Sequence, residues 1–154
     1  MIAIPNDRQF ELKNIVCDYN GTIAKDGKVV EGVRELFDRL AKRYRIFVVT
    51  ADTFGSVKEQ LEGFNVSIKV LSSDDHTGEK ADFIKELGAK NSAAIGNGNN
   101  DAAMLENAAL SIVLMGDEGC SKDALFSSDI VCKSIIDALE LFLYQKRVIA
   151  TLRR

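Results

Sequence analysis

The residues able to do chemistry fall into four short stretches. Ile15-Val16-Cys17-Asp18-Tyr19-Asn20-Gly21-Thr22 runs an apolar strand straight into an acid, and a Gly-Thr turn follows at once. Ile46-Phe47-Val48-Val49 ends in Thr50, Lys80 opens a helical stretch, and Ala93-Ala94-Ile95 runs into Gly96-Asn97-Gly98-Asn99-Asn100-Asp101. Open α/β sheets place their ligands outside the carboxyl ends of their strands. An acid, a hydroxyl, a lysine and a glycine-rich acidic loop at such ends would therefore converge on one crevice. An aspartate there can attack a phosphorus centre and form an aspartyl-phosphate, which splits one difficult transfer into two easier ones. The transition state spreads negative charge over the equatorial oxygens, and a cation with aimed donors must neutralise it. Mg²⁺ takes hard oxygen ligands and one or two carboxylates. Asp18 and Asp101 can supply those carboxylates, while the Thr50 hydroxyl and Lys80 can hold phosphoryl oxygens. Each residue also has a plainer role. Asp18 can cap the next turn, Thr50 suits a strand end, and Lys80 can be a solvated lysine like Lys85 and Lys90. Asp101 can hold its own loop or cap the helix beginning near Asn100. The plainer roles need four separate explanations where the crevice needs one.

The elements that must position these residues alternate along the chain. Residues 1–12 read as two short strands about the turn Pro5-Asn6-Asp7-Arg8, a hairpin attached to the sheet. After the Asp18 strand comes a polar loop, Lys25-Asp26-Gly27-Lys28, and then a helix over 31–42 whose Val33, Leu36, Phe37 and Leu40 recur at intervals of three and four. Asp52 or Thr53 can cap a second helix reaching Leu61, with Gly63 at its end. A strand over 67–71 follows, then a helix through Lys80, Phe83, Ile84 and Leu87 that stops at Gly88. The Ala93 strand, a helix over 100–107, a strand over 110–115, a loop with Gly116 and Gly119, and a strand over 130–132 complete the sheet. From Ser134 the pattern is helical but broken. Strands alternating with helices of this length predict a three-layer, mostly parallel sheet covered on both faces. One domain over 1–154 accounts for the whole chain, without linker or repeat.

The 154 residues suffice for one sizeable core, and their 46% hydrophobic and 28% charged content is ordinary for a soluble protein. A net charge of −3 argues against a general nucleic-acid surface. No apolar run approaches the ~18 residues of a membrane span, and no signal-like start is present, so a cytoplasmic protein is expected. Cys17, Cys120 and Cys132 are odd in number and widely spaced, which gives neither a disulfide framework nor a zinc signature. His76 is the only histidine, so a histidine triad or a multi-histidine metal site is excluded.

Taken together the motifs resemble the haloacid dehalogenase-like (HAD) superfamily. Asp-Tyr-Asn-Gly-Thr at 18–22 looks like its first motif, Thr50 its second, Lys80 its third, and Gly-Asn-Gly-Asn-Asn-Asp at 96–101 its fourth. Within the superfamily the fourth motif is similar to the Gly-Asp-Gly-Val-Asn-Asp of P-type ATPase phosphorylation domains. Met115-Gly116, Ala124 and Ser128-Asp129-Ile130-Val131 are similar to the stretch after it. The resemblance implies a Rossmann-like fold with Asp18 as nucleophile, the Asn20 carbonyl on Mg²⁺, and Asn97 and Asp101 around the metal. The intervals between Asp18, Thr50 and Lys80 hold only ordinary sheet-and-helix units, so neither a cap domain nor a nucleotide-binding insertion fits. Two positions depart from the family pattern. Asn20 stands where its phosphatases carry an aspartate as general acid and base, and Asn97 replaces the first aspartate of the fourth motif.

Two functions follow from this reading. The first is a Mg²⁺-dependent phosphohydrolase acting through an aspartyl-phosphate on Asp18, slowed by Asn20. The second is a catalytically degenerate module that keeps a phosphate and Mg²⁺ site for regulation, for which Asn20 and Asn97 speak. A receiver domain fits poorly, since its acidic pair follows the first strand and its phosphorylated residue lies on a later one. Dehalogenation would require a cap. The substrate class is a phosphorylated compound, and an open crevice asks either for a large substrate or for a second copy of the chain, with the terminal helix and the first hairpin as contact surfaces.

Overall fold

The structure is a computed structural model and describes residues 1–52 and 55–154. Of the two caps expected for the second helix, Thr53 lies outside the described residues, and Asp52 accepts from Val57 N at 2.9 Å and from Ser56 Oγ at 2.6 Å, while Gly55 occupies the N-cap position.

The chain opens with β1 (Ile2–Ala3) and β2 (Gln9–Phe10), an antiparallel pair. They form a two-stranded sheet of their own rather than extra strands of the main sheet, held to the core by buried Ile2, Ile4 and Phe10. Next come β3 (Asn14–Asp18), the short pair β4 (Ala24–Lys25) and β5 (Lys28–Val29), α1 (Val33–Leu40) and β6 (Arg45–Thr50). Then follow α2 (Ser56–Gln60), β7 (Ser67–Val70), α3 (His76–Leu87) and β8 (Ser92–Gly96). The chain ends with α4 (Ala102–Asn107), β9 (Leu110–Leu114), α5 (Lys122–Phe126), β10 (Ile130–Cys132), α6 (Ile135–Leu143) and α7 (Gln145–Leu152).

Six strands form the central sheet in the order β10-β9-β8-β3-β6-β7, and every pairing is parallel. The chain winds outward from β3 through β6 to β7, then crosses back to β8 on the other side of β3. The strand order therefore reverses beside β3, which makes the carboxyl end of β3 the topological switch point where such sheets bind ligands. Both faces of the sheet are covered. Ile15, Cys17, Val48 and Ile95 point to the side packed by α1, α6 and α7, while Val16, Val49, Ala94 and Val113 point to the side of α3, α4 and α5. Ile15, Val16 and Cys17 are fully buried on alternating faces, as a strand sandwiched between helical layers requires.

Two segments depart from the sequence expectation. Residues 25–28, expected as a polar loop, turn back in the β4–β5 hairpin, with Asp26 at φ 51° and Gly27 at φ 82°. Positive φ at both central residues is the geometry of the tightest hairpin turns, and Asp-Gly is among the dipeptides that favour it. The stretch after Gly119 contains α5, whose N-cap Ser121 accepts from Ala124 N at 3.1 Å. Among the described residues no helix is long and apolar enough to cross a membrane.

Candidate active site

Asp18 ends β3, and its neighbours at the same sheet edge are Thr50, which ends β6, and Gly96, which ends β8. After β7 the chain runs over this edge before α3 begins. Asp75 caps α3 by accepting from Gly78 N at 2.9 Å, and Glu79 holds the loop before it by accepting from Ser72 N and Ser73 N. Lys80 therefore lies in the second turn of a helix whose start is fixed at the carboxyl edge, with its side chain directed under the loop after β8.

The Lys80 ammonium is 3% exposed and donates to Asp18 Oδ1 at 2.9 Å, Asp101 Oδ1 at 2.8 Å and Asn100 Oδ1 at 3.0 Å. An ammonium has three donors, and all three are engaged. Asp101 is fully buried; its other oxygen accepts from Asn97 N and Gly98 N, both at 3.0 Å. Gly96 makes room for this arrangement, because a Cβ there would lie 2.5 Å from Asp101 Cγ. Two buried carboxylates thus share one cation. Burial first, then the Asp101 charge, pushes the Asp18 carboxyl up to about 7, against the lowering by Lys80. Burial opposes protonation of Lys80, but Asp18 and Asp101 outweigh it and raise the ammonium above its ordinary range.

Thr50 is buried, and its Oγ1 accepts from Asp52 N at 3.1 Å, which leaves the hydroxyl proton free to donate. Asn20 is exposed at the start of a tight turn in which Tyr19 O accepts from Thr22, Ile23 and Ala24 N–H groups. Among the described residues the Asn20 carbonyl accepts no hydrogen bond. Asn97 is 9% exposed and turns its Nδ2 toward Gly119 O at 3.4 Å. Asp18, Lys80 and Asp101 are thus in direct contact, with Thr50, Asn20 and Asn97 along the same edge.

Asn100, in the glycine-rich loop after β8, is one of the three acceptors of Lys80, a role that its sequence position does not announce. Asp117 is exposed and forms an ion pair with Lys25 on the β4–β5 hairpin. For Asp101 the competing loop role is realised together with the lysine contact, since three hydrogen bonds occupy its carboxylate. All three cysteines are free, and burial raises the Cys17 thiol far above its ordinary range.

The donor set can be tested against a hard divalent cation. Among the described residues no group of three or more His, Cys, Asp or Glu stands in a metal-binding arrangement. What is present is the Asp18 carboxylate, an unbonded backbone oxygen on Asn20 and an amide oxygen on Asn97. Oxygen donors with few carboxylates, completed by water and substrate, are how Mg²⁺ is bound. The residues fit such an ion.

No family model matches the chain. It is 52% identical over 69 residues to the uncharacterized protein MJ0073 of Methanocaldococcus jannaschii, a match covering 45% of this chain and 74% of that protein. Among solved structures it is similar to 3-deoxy-D-manno-octulosonate 8-phosphate phosphatase from Moraxella catarrhalis, determined in complex with magnesium and phosphate ions and KDO. The TM-score is 0.67 at 18% identity over 90% of each chain. A HAD family hydrolase from Streptomyces avermitilis gives a TM-score of 0.69 at 12% identity, covering 91% of this chain and 88% of that one. The fold is that of the HAD superfamily. At the level of sequence the chain belongs to one family with MJ0073. The likeness to the solved structures is one of fold.

Proposed function

We propose that this HAD-fold protein is a divalent-cation-dependent phosphohydrolase in which Asp18 is the nucleophile. The observation that carries the reading is the buried Asp18–Lys80–Asp101 cluster at the switch point of a parallel sheet. A phosphatase with bound magnesium and another with bound cobalt among the fold neighbours support it.

An Asp18 carboxylate oxygen attacks phosphorus, the bond from phosphorus to the leaving oxygen breaks, and the electron pair departs with that oxygen. Lys80 holds Asp18 Oδ1 throughout, so the second carboxylate oxygen is presented to the substrate. Because the three lysine donors are occupied, a phosphoryl oxygen enters by taking the place of a neutral acceptor, and Asn100 is the neutral one. The Thr50 hydroxyl donates to a second phosphoryl oxygen. When bound, Mg²⁺ neutralises charge on the phosphoryl oxygens and favours the ionised, nucleophilic form of Asp18. Water then attacks phosphorus, the Asp18 oxygen–phosphorus bond breaks, and the carboxylate is regenerated with the proton released to solvent.

Asn20 sets the rate. An amide can neither protonate the leaving oxygen nor activate the water, and general acid–base help is worth about 10² to 10⁴ in rate. Acyl phosphates and activated esters leave without protonation and are the favoured substrates, while simple alkyl phosphates react slowly. The aspartyl-phosphate accumulates for want of a base. The three free thiols accord with action in the cytoplasm.

The test is intact-mass spectrometry after incubation with Mg²⁺ and an acyl phosphate. Wild type should gain the mass of one phosphoryl group, Asp18→Asn should gain none, and Asn20→Asp should turn over too fast to retain it. No added mass in wild type, together with no turnover by Asn20→Asp, would sink the enzymatic reading. A regulatory phosphate-binding module, which the two amides Asn20 and Asn97 favour, would then stand in its place.

A further inference from the structure

Glu118 lies on the turn from Gly116 to Gly119, closed by the Gly119 N–H donating to Gly116 O at 2.9 Å. Three contacts tie this turn to the crevice. Asp117 pairs with Lys25 on the hairpin after β3, Ser121 N donates to Asn97 O at 2.8 Å, and Asn97 Nδ2 faces Gly119 O at 3.4 Å. The result is a carboxylate beside Asn97, at the rim of the crevice. Gly21, at φ 77°, shows where it sits. A Cβ on that residue would meet Glu118 Oε2 at 2.3 Å, Asn97 Nδ2 at 2.6 Å and Asn97 Oδ1 at 3.0 Å. The carboxylate and the amide therefore cover the same glycine side by side, three positions from the nucleophile.

We infer that Glu118 supplies the negative charge that Asn97 lacks, and so completes the cation site on which the proposed phosphohydrolase depends. With Asp18 ionised, Asp18 and Asp101 against Lys80 carry a formal charge of −1, and Glu118, beside Asn97, adds a further −1 next to the cluster. Ligand charge tunes affinity for hard cations, and a carboxylate beside the ligands contributes whether it touches the ion or an ion-bound water. The turn also sets an orientation. With the Gly119 carbonyl as acceptor of its Nδ2, the Asn97 amide keeps its nitrogen toward the turn that carries Glu118, and Oδ1 is the atom left for a cation. Glu118 is thus a charge-supplying residue; the nucleophile remains Asp18. No sequence pattern points to it, because its place follows from the packing of the loop after β9 on the loop after β8.

The experiment is calorimetric titration of the full chain with MgCl₂ alone, which reads binding independently of turnover. Glu118→Gln should loosen Mg²⁺ roughly fivefold to tenfold at low ionic strength, with a smaller loss in high salt because the residue is exposed. Asn97→Asp should tighten binding, and Asn97→Asp/Glu118→Gln should return near the wild-type affinity, since the charge is restored at the neighbouring position. Glu106→Gln, the same charge change on an exposed residue of α4, should leave affinity unaltered. Equal affinity in Glu118→Gln and wild type overturns the inference. So does an equal loss in Glu106→Gln, or a wild type that binds no Mg²⁺. If wild type binds Mg²⁺ and forms the phosphoenzyme while Glu118→Gln binds equally well, only this inference falls and the proposed function stands.

Discussion

Replacing Lys80 by Met keeps the length of the side chain and deletes the only cation that faces Asp18 and Asp101 among the described residues. The two carboxylates are 14% and 0% exposed, so Asp101 cannot turn to water for compensation and Asp18 can do so only in part. Removing one partner of a buried ion pair costs about 3–5 kcal/mol, and near 150 residues each kcal/mol moves the melting temperature by about 2–4 °C. At pH 8 the variant should therefore melt roughly 6–20 °C below wild type.

The loss must depend on pH in a defined direction. The Asp18 carboxyl lies at about 7 in the folded protein against 3.8 for an ordinary aspartate. The folded state thus binds the extra proton between those values, and stability falls as pH rises through that window. Without Lys80 the same group is raised further, so at pH 5 Asp18 is protonated and carries no buried charge. Asp101 then keeps its two backbone N–H donors, and because the two folded proteins differ in Asp18 protonation only above about pH 7, the cost of the substitution should be smaller at pH 5 than at pH 8 by up to about 1.4 kcal/mol. Urea denaturation of both proteins at pH 5 and pH 8 measures this. A loss below about 1 kcal/mol at pH 8, or the same loss at both pH values, would show that the lysine does not hold the two charges together.

Two further substitutions probe the same cluster from other sides. Asp18→Asn keeps an acceptor for Lys80 and removes the charge that burial and Asp101 disfavour; it should flatten the fall in stability between about pH 4 and pH 7 and exceed wild type at pH 8 by roughly 2–4 kcal/mol, as read by urea titration. Gly96→Ala puts a Cβ at 2.5 Å from Asp101 Cγ, so the carboxylate must shift away from Lys80. It should cost about 1–3 kcal/mol in the same assay, and a neutral result would mean that the Gly96 loop yields without strain.

How far the fold could be read from the chain depended on run length. Ile15-Val16-Cys17 and Ala93-Ala94-Ile95 are buried on both faces of the sheet and stand out as continuous apolar runs that end at a polar residue. Because those ends were visible, so were Asp18, Thr50 and the loop before Asp101. The β4–β5 hairpin was not, since strands of two residues, Ala24–Lys25 and Lys28–Val29, carry no period. Its Asp-Gly turn was the one local signal available. The five-residue α5 was equally silent, as a single turn and a half shows no helical recurrence. The acceptor role of Asn100 and the place of Glu118 depend on contacts across 20 or more positions, beyond any spacing rule.

The packing of the cluster also decides which variants can report on chemistry. Lys80 and Asp101 hold the crevice together as well as facing it: the lysine joins β3, α3 and the loop after β8, and Asp101 closes that loop on its own N–H groups. Loss of activity on substituting either would mix a lost catalytic contact with a rearranged site. Asp18 and Asn20 are different. Asp18→Asn preserves the shape of the lysine's acceptor, and Asn20 is exposed at a turn that its neighbour Tyr19 holds through its own carbonyl. Exchanges between acid and amide at these two positions change protonation and nucleophilicity while leaving the surrounding hydrogen bonds in place. A phosphoenzyme that vanishes with Asp18→Asn and turns over with Asn20→Asp would therefore report on the reaction itself.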